Sequence, residues 1–163
     1  MDETMMRELL DKSEIQDVAL RTGTAADRRD WEDLISCYTG EIELDYTSLT
    51  GGEPVRIATR ELVLRRWAPP FEVLDATQHF TGPCTIAVEG DRAKGHAYFQ
   101  AQHVLSGTVG GDKWTLGGRY DWDFERTALG WKITGVTMTA MWNDGNRDLM
   151  AQAADRLSAT EGG

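Results

Sequence analysis

Three stretches in the second half of the chain alternate apolar and polar side chains almost without a break, and that period of two narrows the possible folds more than any other feature. In 91–106, Ala93, Gly95, Ala97, Phe99, Ala101, His103 and Leu105 share one face, against Lys94, His96, Tyr98, Gln100 and Gln102 on the other. In 113–127, Trp114, Leu116, Gly118, Tyr120, Trp122 and Phe124 share a face, against Arg119, Asp121, Asp123 and Glu125. Side chains on a strand point alternately to its two faces, so these stretches and 131–142 read as long half-buried strands. Turn residues separate them at 89–91, 107–112 and 128–130. A further strand is expected over 77–88, bent or bulged at Gly82-Pro83. In 41–46, Ile42, Leu44 and Tyr46 alternate with acidic residues, which predicts one more half-buried strand.

The rest reads as helix. Ser13-Glu14-Ile15-Gln16 has the form of a capping box, followed by Ile15, Val18, Ala19, Thr22 and Ala26 on one helical face. Asp30 is placed to cap a short helix whose Trp31, Leu34, Ile35 and Tyr38 share a face. A third helix is expected over 59–67, stopped by Pro69 and Pro70. A last one is expected over 146–158. Helices first and a long, mostly antiparallel meander afterwards predict an α+β fold, a curved sheet wrapped around helices as a cone. At 163 residues the chain suits one domain, 1–163, with one core.

Composition excludes several partners. Hydrophobic residues make up 40% and charged residues 27%, the balance of a globular chain. A net charge of −10 repels phosphate backbones and anionic lipid, so neither nucleic acid nor a membrane surface is an expected partner. No apolar run approaches the roughly 20 residues that cross a bilayer. The N-terminal stretch is too polar for a secretory signal, and Cys37 and Cys84 form no CxxC pair, so a cytoplasmic protein with reduced thiols is expected. There is no phosphate-binding glycine loop, no GxSxG elbow and no recognised metal-ligand spacing of the three histidines. No cofactor and no metal are therefore expected.

The interesting polar residues are those that alternation turns inward. His103 falls among alanines and Phe99, where an imidazole loses hydration and needs a partner. Taken alone, it reads as a core histidine with a satisfied hydrogen bond. His96 points the other way. Tyr46 shares the inner face of its strand with Ile42 and Leu44. His79 is undecided, because Gly82-Pro83 can shift the register. Asp27 lies on the flank of the first helix's apolar stripe and, by spacing alone, reads as a solvated loop aspartate.

Taken together, Ala26-Asp27-Arg28-Arg29-Asp30-Trp31, Ile42-Glu43-Leu44-Asp45-Tyr46-Thr47-Ser48 and Thr77-Gln78-His79-Phe80 resemble the scytalone dehydratase family in order and spacing. Gly95 with His103, and Gly130-Trp131-Lys132-Ile133, fit the same pattern, so the resemblance spans about 13–150. The wider group is the SnoaL-like superfamily, which shares the fold of nuclear transport factor two. The chain departs from the dehydratase at Ala26, Gly118 and Tyr120, where that family has tyrosine, serine and asparagine.

Carried over residue by residue, the resemblance implies that Asp27 is a buried carboxylate, Tyr46 a hydroxyl donor, and His79 and His103 the two imidazoles of a catalytic pocket. With the alternation it implies walls from Phe99, Trp67, Tyr120, Trp122 and Met141. The activity implied is a cofactor-free lyase removing water from a small cyclic or aromatic hydroxyketone, with His79 as general base oriented by Asp27. An isomerase or cyclase using the same enolate, and a binding module without catalysis, are the alternatives for such a cone. A homo-oligomer, dimer or trimer, is implied through the outer face of the sheet.

Overall fold

The computed structural model describes residues 2–161. Helix α1 runs Glu3–Asp27, far longer than its apolar stripe suggests. Its N-cap is Asp2, whose side chain accepts from the Thr4 N–H, and Ser13 lies mid-helix rather than at a cap. The first two turns leave Met5, Met6, Leu9 and Leu10 exposed. Burial begins further along, with Asp11, Ile15, Val18 and Ala19.

Asp30 caps α2 (Trp31–Ser36) as expected, its carboxylate accepting from the Asp33 N–H. Tyr38 begins strand β1 (Tyr38–Asp45) instead of extending α2. After a one-turn helix α3 (Thr47–Thr50) and a short strand β2 (Val55–Ala58), the third predicted helix does form, but the prolines do not stop it. A turn of α4 (Thr59–Glu61) widens into a π-helical stretch, Leu62–Trp67, and Pro69-Pro70 open a further turn, α5 (Ala68–Glu72). The first turn of a helix has no use for the N–H that proline lacks, so proline is tolerated there.

Strands β3 (Ala76–Thr81), β4 (Thr85–Glu89), β5 (Arg92–Val104), β6 (Lys113–Thr127) and β7 (Gly130–Gly145) then complete a seven-stranded sheet. Its order is β2-β1-β7-β6-β5-β3, with β4 beside β5 beyond the end of β3. All pairings are antiparallel except β1 with β7. The closing helix α6 is Leu149–Glu161, three residues later than read from sequence. Asn146 instead ties the β5–β6 connection down, its amide donating to the Val109 and Gly111 carbonyls.

Bulges decide which side chains face the concave side. His79 stands opposite Ala101, but Thr85 stands opposite His96, so the edge strand carries one extra residue between β3 and β4. Odd positions therefore point inward in β3 and even ones in β4: Thr77, His79 and Thr81 in the first, Ile86 and Val88 in the second. On β7 the inward set moves from Trp131 and Ile133 to Val136 and Met138 across one irregularity. A second irregularity leaves Met141 between Ala140, opposite Gly118, and Trp142, opposite Gly117. Met141 is the unpaired residue of that bulge and is 58% exposed, so it is not part of the inner wall.

One end of the cone is closed by a part-buried ion pair. Arg126 donates both terminal nitrogens to the Asp11 carboxylate at 2.6 and 2.7 Å, and its Nε to Asp91. Trp131 donates Nε1 to Asp11 and lies beneath the guanidinium. This pins the middle of α1 to the turn between β6 and β7, and the charge-assisted bonds hold the Asp11 carboxyl below its usual range.

Candidate active site

Between the concave face, α1, α2 and the 62–72 segment lies a cavity of about 770 Å³. That falls in the range of small-molecule sites, roughly 300–1,000 Å³. Tyr46, His79 and His103 line it, as do Phe99, Tyr120, Trp122 and Trp67. Asp27 is not on the cavity wall but directly behind His79, and Met141 is outside.

The local backbone explains Asp27. It is the last residue of α1, which ends in a Schellman motif: the Asp30 N–H donates to the Ala25 carbonyl and the Arg29 N–H to the Ala26 carbonyl. The left-handed residue that such an ending requires is Arg29, at φ 56° rather than the usual glycine. Its guanidinium compensates by donating to the carbonyls of Phe71 and Leu74 at 3.1 and 2.5 Å. The helix end is thus tied to the start of β3, and Asp27 faces that strand.

Asp27 then grips His79 at two points. Oδ2 accepts the His79 backbone N–H at 2.7 Å, and Oδ1 lies 2.7 Å from Nδ1. An ionised carboxylate can only accept, so Nδ1 is the donor of that bond. The approach is close because of Gly23, one turn before Asp27 on the same face. A Cβ built there would meet the His79 Cβ at 2.8 Å.

Aromatic rings fix the rest. Phe71 stacks on His79 at a centroid distance of 6.1 Å and meets His103 edge-on at 5.9 Å. The two imidazoles are edge to face, 6.0 Å apart. His103 also stacks on Trp114. Burial, with the neighbouring His79 imidazole adding to it, pushes His103 down to about 4, so it is neutral near pH 7. Tyr46, the N-cap residue before α3, stacks on Trp67. Its position is held by Ser48, which donates to the Met138 carbonyl and accepts from Ala140 N–H, continuing the edge of β7 past the end of β1. Tyr120 stacks between Phe99 and Trp122. Burial raises Tyr46 well above the usual phenol range and Tyr120 to about 12, so both remain phenols with a proton to donate.

Sequence reasoning missed Phe71, Gly23 and Arg29 as site residues. Reading Pro69-Pro70 as a stop hid Phe71. Gly23 carried a usable signal, being a glycine inside a helix one turn before the aspartate. Among the described residues, no group of three or more His, Cys, Asp or Glu side chains is placed to hold a metal. Nor is any helix long and apolar enough to cross a membrane.

A curved sheet folded over helices, with its pocket inside the cone, defines the cystatin-like class that includes nuclear transport factor two. Within it, the chain belongs to the SnoaL-like domain family, which matches residues 7–137. An uncharacterized protein of Mycobacterium tuberculosis is 29% identical over 139 residues, covering 82% of this chain and 88% of its own. A crystal structure of a protein from Kribbella flavida superimposes with a TM-score of 0.82 at 28% identity, over 88% of this chain and 99% of that one. A hexachlorocyclohexane dehydrochlorinase, LinA type 2, shares the fold alone, with a TM-score of 0.70 at 16% identity over 86% and 92% of the two chains.

Proposed function

We propose that the protein is a cofactor-independent lyase that removes water from a small cyclic or aromatic hydroxyketone. The observation that carries this reading is the two-point grip of Asp27 on His79, which fixes that imidazole on the wall of a mostly apolar cavity. A general base near neutral pH needs that arrangement. The name of the dehydrochlorinase adds that a cone of this kind can host eliminations.

In the proposed sequence His79 Nε2 takes the proton beside the ketone, and the C–H electrons form an enolate. A phenol, Tyr46 or Tyr120, donates to the enolate oxygen. The carboxylate of Asp27 stabilises the imidazolium. The enolate then re-forms the ketone, the C–O bond to the β-hydroxyl breaks, and the departing oxygen takes the proton back from His79 as water. The second imidazole on the cavity wall, His103, is the alternative donor of that proton. Neutral near pH 7, His103 is better suited to donating or accepting a hydrogen bond, so His79 serves as base and then acid.

The test is turnover of 3-hydroxy-1-tetralone, whose loss of water gives fluorescent 1-naphthol. His79→Ala and Asp27→Asn should each lower the rate about 10²-fold or more, the scale of general acid–base catalysis. His96→Ala, on the solvent face of β5, should leave it unchanged. Folded His79→Ala protein at full rate would end this reading.

Two or more copies are proposed to meet on the outer face of β3 and β5. Phe80 and Tyr98 are 70% and 66% exposed there, flanked by Gln78, Gln100 and Gln102. A belt without charge lets a chain of net charge −10 pair with itself without local repulsion.

A further inference from the structure

A helix end that turns through a left-handed residue usually places glycine there, because a Cβ makes that conformation unfavourable. The chain has 17 glycines, and eight of them take a positive φ elsewhere. Among the described residues, Arg29 is the one non-glycine that does so. Ending α1 does not call for an arginine, since glycine would end it with less strain. A strained position kept in spite of that points to a task for the side chain. Nε donates to the Phe71 carbonyl at 3.1 Å and Nη2 to the Leu74 carbonyl at 2.5 Å, both bonds part-buried. One fork thus holds the end of α5 and the approach to β3. Asp27, two residues before Arg29, holds His79 by Nδ1 and by its backbone N–H. Phe71 lies nearly parallel to the same imidazole, 13° between the planes. The His79 ring is held at its edge by a carboxylate and covered on one face by a phenyl, and Arg29 joins the two holders. Trp31 makes a further joint, through an exposed bond to Glu72.

We propose that Arg29 is a positioning residue for His79. Its guanidinium clamps Phe71 and the approach to β3 against the end of α1, and so keeps the imidazole in the orientation that Asp27 grips. Arg29 is not on the cavity wall, so it acts through Asp27 and Phe71 and not on a ligand. A guanidinium suits the task better than an ammonium, because its fixed fork spans two carbonyls at once. The left-handed turn is then part of the site: it carries the side chain off the helix axis and across to these carbonyls. This rests on the proposed function only in making His79 the base, and the state of the dyad is read without turnover.

The experiment compares Arg29→Gly and Arg29→Lys with the wild-type protein by the downfield proton resonance of His79 Nδ1–H and by turnover of 3-hydroxy-1-tetralone. Glycine is the residue that this kind of helix end prefers, so Arg29→Gly removes the clamp and leaves α1 able to end. Its resonance should move or broaden away, and its rate should fall about ten-fold, within the 10² that a misplacement of about 1 Å can cost. Arg29→Lys keeps the charge and a donor without the fork, and should recover part of both signals. A stitch that only closes the helix end would lower the urea midpoint and leave the resonance in place. An Arg29→Gly protein with its resonance unmoved, whatever its midpoint, would therefore overturn the proposal. So would one whose rate stays within two-fold of an active wild type, or an Arg29→Lys protein no better than Arg29→Gly. Should Arg29→Gly not fold, Arg29→Lys against Arg29→Met decides, since methionine has the length but no donor. Equal resonances and rates in those two would overturn it. A resonance lost in Arg29→Gly and partly kept in Arg29→Lys, with no turnover of 3-hydroxy-1-tetralone by any form, would uphold the positioning role and sink the elimination.

Discussion

Replacing Gly23 by alanine should damage the site while barely touching the fold. The added Cβ would lie 2.8 Å from the His79 Cβ, whereas ordinary contact begins near 3.4 Å. Helix and strand must therefore part by the difference, about 0.6 Å, or the ring must turn. Alanine favours the helix by about 1 kcal/mol over glycine, and overpacking costs about 1–3 kcal/mol. The net change in stability should fall between about 0 and 2 kcal/mol. The dyad cannot absorb the shift so easily, because Asp27 sits one turn further on the same helix. If the pair takes up all of it, the 2.7 Å bond between Oδ1 and Nδ1 lengthens to about 3.3 Å, outside the range of strong charge-assisted bonds. A misplacement of about 1 Å can cost 10²-fold in rate, so a loss of about ten-fold or more is expected. The assay is turnover of 3-hydroxy-1-tetralone beside a denaturant unfolding curve. Gly40→Ala, with nothing within 4 Å of its built Cβ, serves as control. The downfield proton resonance of His79 Nδ1–H reports the dyad directly. A Gly23→Ala protein with that resonance unmoved and its rate within two-fold of wild type would refute the reasoning.

The folded-state value for His103 is depressed to about 4, so the unfolded chain binds its proton first as pH falls. Stability should decline between about pH 6.5 and 4, by no more than about 3 kcal/mol, and urea unfolding of His103→Gln across that window should be flatter. Asp11 is depressed by Arg126, so its contribution is present above its unfolded value, near 4, and is lost as pH falls through the lower folded one. Asp11→Ala leaves Arg126 only its bond to Asp91 and should cost about 1–3 kcal/mol at pH 7 by thermal or urea unfolding. Phe80→Lys combined with Tyr98→Lys should turn an oligomer at micromolar concentration into a monomer by sedimentation, and an unchanged species would count against the proposed interface.

How far the sequence could be read depended on where strands run without extra residues. The inward faces of β5 and β6 were legible because neither has a residue that shifts its own alternation, and His103 and Tyr120 were placed correctly for that reason. His79 was not, because its direction depends on counting residues through Gly82-Pro83-Cys84. Met141 was misplaced by the bulge on β7. Asp27 was opaque because a left-handed arginine, not helical periodicity, sets where the end of α1 points. The start of α1 was missed because its first turns bury nothing, so no apolar stripe marks them.

The extra residue between β3 and β4 leaves slack in one short connection. Three residues, 82–84, span the edge where two, 97 and 98, span β5. If the chain lost one of the three, two would face two, and the edge could run on as one regular strand with His79 and Ile86 both still directed inward. Descendants of this chain can thus shorten that connection by one residue and keep the imidazole in the pocket.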